Sequence, residues 1–396
     1  MEQKQKIQEI QKRLKEHGID GWLLYDNHGS NRFIRELLEI PAHLVLTRRF
    51  FYWIPKSGEP ELIVHQIEAQ SLGFLTGKVH SYLSWEQLDQ AIVAMIKNNK
   101  TIAMEYSPNN RNPYVSIVDA GTFEQVAQTG AEIISSDDLL QHFTSVLDED
   151  QIASHLDAAK VVAKTVERAW DLIADRLRKD KVITEYDVQK FILSEFSALN
   201  YITDSGPCCS VNQHSALPHY QAGKKSAQKI DRGDFILIDL WCKKNVAHGV
   251  YADITRVAVA APEPTPRQEE VFDIVNVAQS KGIALIKDAM RAKKTIRGFE
   301  VDDVCRGYIE EKGYGAFFTH RTGHNIDTNV HGAGAHLDHL ETVDHRKLLP
   351  GTICSVEPGI YLPQEFGVRL EHNVLIDHAS NVQVTGKQEN EIRCLL

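Results

Sequence analysis

No stretch of the 396 residues is apolar for long enough to span a bilayer, so no membrane partner is expected. Cysteine is scarce. Cys208, Cys209, Cys242, Cys305, Cys354 and Cys394 are the six present, and none stands in a C-x-x-C spacing. Neither a zinc knuckle nor, in so long a chain, a disulfide scaffold is expected; reduced, mostly buried thiols are. The stretch from Met1 to Asp20 lacks the apolar centre of a secretory leader, so a cytoplasmic location is expected. Positive charge is also short. There are 44 Lys and Arg against 54 Asp and Glu, a net charge of −10, which argues against a nucleic-acid surface. Internal repeats and low-complexity tracts are missing too.

What is present reads as two regions, 1–147 and 148–396. The first opens on a helix with Ile7, Ile10 and Leu14 at helical spacing and Gly18 at its stop. Short apolar runs follow at 22–25, 43–46, 50–54 and 61–64, with Ser57 to Pro60 as a hairpin connection, then a helix at 85–97 and a strand at 101–105. This is an α/β pattern without a chemical constellation. In the second region, Ile152 through Leu177 trace one face of a long helix. Thr184, with Asp187 three residues on, caps another, and Thr265-Pro266 starts a third. Strands are expected at 234–240, 251–260, 352–357 and 367–376, an α+β pattern.

Four of these otherwise interior strands carry acids: Asp239, Asp253, Glu357 and Glu371. Burying an unpaired carboxylate costs several kcal/mol, and like charges add to the cost. Such groups take up protons or find cations. Arg256 and Arg369 are the basic residues in the same strands, too few if all four acids converge. His324, with His331 seven residues on, offers imidazole nitrogen. Four carboxylates and an imidazole suit two divalent first-row ions sharing bridging oxygens. Singly, each residue has a plainer account: a strand Asp pairs with arginine or caps a strand end, and a histidine hydrogen-bonds at the surface. His320, His336 and His339 are left with that plainer account. The residues alone leave the choice open.

The ordered set Asp239, Asp253, Thr322-Gly323-His324, Val356-Glu357-Pro358-Gly359-Ile360-Tyr361 and Val368-Arg369-Leu370-Glu371 resembles the pita-bread metallopeptidases, which include prolidase, aminopeptidase P and methionine aminopeptidase. The segment Ser215 to Tyr220 resembles the one that carries the family's substrate-side histidine. The likeness implies a pita-bread α+β domain with a curved antiparallel sheet over 148–396, behind a creatinase-like α/β domain over 1–147. Methionine aminopeptidases lack the latter. It implies that Asp239 chelates one metal, that Asp253 and Glu371 bridge both, and that His324 and Glu357 complete the second. Glu357 would also be the general base. His219 and His331 would hold the substrate and its developing oxyanion, and Arg369 would order Asp253 or meet a substrate carboxylate. Manganese suits the oxygen-rich set, with cobalt, zinc or iron as alternatives. Family members are commonly homodimers.

Two departures stand out. The spacing from Asp239 to Asp253 is longer than the family's usual one, and Lys243 to His248 would lengthen the hairpin tip between them. After His324 the sequence reads Asn325-Ile326-Asp327-Thr328-Asn329 where glycines are common, and 331–348 is long and charged. Both fall on specificity. The expected function is metal-dependent hydrolysis of Xaa-Pro bonds in di- or oligopeptides, as a dipeptidase first and an aminopeptidase second. A lyase or another C–N hydrolase on the same metals is a further alternative. A metal-free creatinase-like enzyme or a ligand-less binding module fits poorly, because every ligand position is filled.

Overall fold

The computed structural model describes residues 3–386 and 389–396. The chain divides into two compact units, Met1–Thr144 and Ser145–Leu396.

The first unit runs α1 (Gln3–Glu16), β1 (Gly21–Asp26), α2 (Arg32–Leu37), β2 (Phe50–Pro55), β3 (Glu61–His65), β4 (Lys78–Tyr82), α3 (Trp85–Ile96), β5 (Thr101–Met104), α4 (Ala120–Ala127), β6 (Glu132–Ser135) and α5 (Asp137–Thr144). Its strands form one mixed sheet in the order β4-β3-β2-β1-β5-β6. Ile7, Ile10 and Leu14 of α1 are buried, and Gly18 ends that helix at φ +68°, where a side chain would be strained. Leu23, Phe51, Trp53 and Ile63 of the sheet pack with Leu88 and Ile92 of α3.

The second unit begins with α6 (Glu149–Arg178) and α7 (Glu185–Ala198). Then come β7 (Tyr201–Ile202), β8 (Cys208–Val211), β9 (Phe235–Lys244), β10 (Ala252–Val259), α8 (Pro266–Arg291) and α9 (Gly298–Glu311). The remaining strands are β11 (Asn325–Ile326), β12 (Thr352–Val356), β13 (Gly359–Tyr361), β14 (Gly367–Arg369), β15 (His372–Ile376), β16 (Val382–Thr385) and β17 (Arg393–Cys394). Asp148, Thr184 and Thr265 each close a capping box at the starts of α6, α7 and α8. β9 and β10 form a long antiparallel ladder, with β8 and β7 on β9, and β11-β12-β15-β16 form a second sheet. Ala158, Val162, Ala169 and Ile173 of α6 pack on Ile238 and Ile254, and α8 packs through Val271 and Val275 on Leu237 and Val257. The hairpin is thus covered by helices on both faces.

Two expectations need correction. Residues 43–46 are not a strand. Leu44 N closes a turn on Pro41, Arg35 Nη2 takes the Leu44 carbonyl, and Val45 is 76% exposed. The run 367–376 is not one strand either. It breaks at Leu370-Glu371, where Leu370 N turns to Pro358 O and Glu371 N to Thr255 O.

Candidate metal centre

In the β9–β10 ladder, Asp239 pairs with Thr255 and Trp241 with Asp253. Side chains alternate along a strand, so these four project from one face. The longer spacing between the acids is absorbed by carrying β9 out to Lys244 before the turn, and both acids still face the same way.

Glu371 lies at the break between β14 and β15. Thr255 Oγ1 donates to Glu371 Oε2 (2.9 Å), and Arg256, buried beneath, donates through Nη1 to the Glu371 carbonyl (2.6 Å). Asp253 N donates to Asn373 Oδ1 (2.9 Å), and the Asn373 amide donates back to the Asp253 carbonyl. One side-chain amide, that of Asn373, therefore fixes the β10 acid beside the segment that carries Glu371. Gln279, buried on α8, donates through Nε2 to the carbonyls of Val356 (2.8 Å) and Leu370 (2.7 Å), the residues just before Glu357 and Glu371.

His324 precedes β11. A Cβ on Gly323 would stand 2.1 Å from the Ser355 carbonyl, so only glycine lets the His324 backbone approach β12 this closely. Ser355 Oγ accepts from His324 N (2.9 Å) and lies 3.1 Å from Glu357 Oε1, to which it donates. His324 Nδ1 bonds the Asn325 carbonyl (3.1 Å), which puts its proton there and leaves Nε2 as an acceptor 3.3 Å from Glu357 Oε1. Ligand atoms of Asp253, His324 and Glu371 lie within 4.8 Å of one another, all three buried.

This concentration of charge is poorly compensated by protein. Arg369 Nη2 donates to Asp239 Oδ2 (2.5 Å) and Nε lies 3.9 Å from Glu357, so it reaches Asp239 rather than Asp253. Arg256 serves main-chain carbonyls here. Burial first, and the neighbouring carboxylates second, push Asp253 and Glu371 well above the ordinary carboxylate range. Burial raises Glu357 to about 7 despite Arg369. His324 is held well below an ordinary histidine by burial first and then by His331 and Arg321, which keeps it a neutral donor. Asp239 Oδ1, Asp253 Oδ1 and Glu371 Oε1 are buried without a hydrogen-bond partner. Three orphaned carboxylate oxygens beside an imidazole lone pair are a donor set that fits divalent cations.

These residues line a cavity of about 400 Å³ together with His219 and His331. The rings of His324 and His331 meet edge to face at 4.3 Å. His320, expected to be an ordinary histidine, is also on this wall. Its Nδ1 donates to the Arg321 carbonyl (2.7 Å), so its Nε2 accepts from Tyr361 O–H (2.6 Å), whose oxygen in turn accepts from Arg369 Nη1 (2.8 Å). Burial and the Arg369 charge lower His320 to about 3. Sequence reading also passed over Asp204, which accepts from Trp241 Nε1 (2.7 Å), and Arg321 and Glu341 at the same cavity. Only the position of Trp241, two residues past Asp239 on the same face, could have flagged any of these.

The sequence profile of metallopeptidase family M24 matches residues 154–378. The Xaa-Pro dipeptidase of Pyrococcus furiosus is 30% identical over 302 residues, 76% of this chain and 78% of the relative. Among solved structures, dipeptidase PepE of Mycobacterium ulcerans superposes with a TM-score of 0.70 at 19% identity, over 99% of this chain and 98% of that one. The X-Pro aminopeptidase of Thermotoga maritima gives 0.55 at 24% identity, over 96% and 99%. These two likenesses are of fold: an α/β unit followed by a pita-bread α+β unit.

Proposed function

The chain belongs to metallopeptidase family M24, and from that premise we propose that it hydrolyses the bond before proline in short peptides, with dipeptides as its preferred substrates. The observation that carries this reading is the set of orphaned oxygens on Asp239, Asp253 and Glu371 around the neutral His324, inside a cavity of peptide-sized volume. The Xaa-Pro dipeptidase of Pyrococcus furiosus, similar along three quarters of the chain, supports the substrate class.

Asp239, Asp253, His324, Glu357 and Glu371 would hold two divalent ions, manganese by preference for so many oxygens. When bound, such a pair lowers the pKa of water and polarises the scissile carbonyl. The remaining work belongs to the protein. Glu357, whose Oε1 is oriented by the Ser355 hydroxyl, would take the proton of the attacking water and return it to the leaving nitrogen. Arg369 fixes the direction of Asp239 and links it through Tyr361 to His320. His219 and His331, on the exposed side of the cavity, are placed to meet a substrate carbonyl as it gains negative charge. A prolyl nitrogen carries no hydrogen, so the ring is recognised by shape against Pro218 and Val330 on the same wall. The test is hydrolysis of Ala-Pro beside Ala-Pro-Ala and Ala-Ala by manganese-loaded protein. Cleavage of Ala-Pro alone supports the dipeptidase, and release of alanine from the tripeptide turns the assignment to an aminopeptidase. No cleavage of either proline peptide rejects the proposal.

A further inference from the structure

The segment that carries His219 is tied down by one buried carboxylate. Glu185, the first residue of α7, is 0% exposed. Its Oε1 accepts from Val211 N and from His214 Nδ1, both at 2.9 Å. Its Oε2 accepts from Tyr220 O–H (2.6 Å) and from Gln228 N (2.8 Å). Gln228 Nε2 faces His214 Nε2 at 3.3 Å, which keeps that nitrogen an acceptor and the proton on Nδ1. The His214 and Tyr220 rings stack with centroids 4.2 Å apart. Four points between 211 and 228 thus converge on two oxygens.

A buried anion is costly unless donors surround it, and the amino end of α7 adds a favourable dipole. Surface loops are ordinarily held by less. What this one carries is Pro218, His219 and Gln221, all on the wall of the metal-centre cavity. The His219 ring is itself exposed, and among the described residues no hydrogen bond holds it, so its place is set by its neighbours in the chain.

We propose that Glu185 is a positioning residue: through His214, Tyr220 and the backbone at 211 and 228 it holds the segment 212–221 so that His219 faces the metal centre. The catalytic part of this inference rests on His219 contacting substrate, as proposed above. The test uses manganese-loaded full-length enzyme carrying Glu185→Gln, and Tyr220→Phe as the milder variant should the first fail to fold. Backbone amides of 212–222 exchange with deuterium about tenfold faster in either variant while bound manganese is unchanged. On Ala-Pro, kcat falls about tenfold with KM altered less, the mark of a transition-state contact held out of place. In a His219→Ala background the same substitutions cost less than about twofold, because the residue they position is gone. Unchanged exchange over 212–222, or the full loss repeated in the His219→Ala background, overturns the proposal. If the wild-type enzyme cleaves no proline peptide, the functional reading fails by itself, and the exchange measurement still decides whether Glu185 holds the segment.

Discussion

Asp239 Oδ1, Asp253 Oδ1 and Glu371 Oε1 each lack a hydrogen-bond donor although each is buried, and this links the sequence pattern to the chemistry. An acid inside an apolar strand is visible in a sequence because its burial is expensive, so Asp239, Asp253, Glu357 and Glu371 were legible without a structure. His320 and Tyr361 were not: their bond spans 41 residues, and nothing local marks it. Glu185 and Gln279 read as ordinary helix residues for the same reason. Asp253→Asn keeps the shape of the side chain but removes its charge. Metal affinity is expected to fall by more than the roughly 10–100-fold that loss of an outer partner costs, read as manganese retained after dialysis. Full retention would contradict the ligand assignment. A second acid makes a prediction in the other unit. Burial raises Glu105 to about 7 despite donors on Trp22 (2.6 Å), Asn31 (2.8 Å) and Ser136 (3.2 Å). The folded state therefore holds this proton more tightly than the unfolded chain, whose value is the ordinary 4.5. The associated stability is present in full below 4.5 and is lost as pH rises through about 7. Urea unfolding of the first unit is expected to show this decline, and Glu105→Gln to flatten it; an equally steep decline in the variant would refute the assignment.

At the scale of elements, periodicity made α1, α3 and α6 readable, and the caps Thr184 and Thr265 announced the starts of α7 and α8. β4 and β6 escaped, since four of the five residues of β4 are exposed and only partial burial marks β6. The split between β14 and β15 escaped because Leu370-Glu371 continues the apolar alternation, and the bonds that break it, Leu370 N to Pro358 O and Glu371 N to Thr255 O, reach residues distant in sequence. α8 contributes more than cover. Its Gln279 donates to the carbonyls just before two acids, Glu357 past the end of β12 and Glu371 past the end of β14. Gln279→Met removes one donor from each carbonyl, at roughly 0.5–1.5 kcal/mol per bond. Thermal unfolding is expected to come earlier, and manganese to bind about tenfold more weakly as Glu357 and Glu371 drift apart. A destabilised variant with undiminished manganese affinity would limit Gln279 to a packing role.

At the scale of the whole molecule, the described residues that line the candidate metal centre all lie in Ser145–Leu396. No described helix is long and apolar enough to cross a membrane. A cation that binds only the folded second unit stabilises that unit by mass action, by about 2.7 kcal/mol at a hundred times its dissociation constant. Chelation is therefore expected to speed deuterium exchange in the strands of the second unit and leave β1, β2 and β5 of the first unchanged. Equal loss in both units would count against a centre confined to one of them. The most direct test of the account is the rate of Ala-Pro hydrolysis by chelated protein and by the same protein refilled with manganese. The account predicts no turnover in the first sample and restored cleavage in the second. Turnover that survives complete removal of metal, or silence when manganese is shown to be bound, would contradict it.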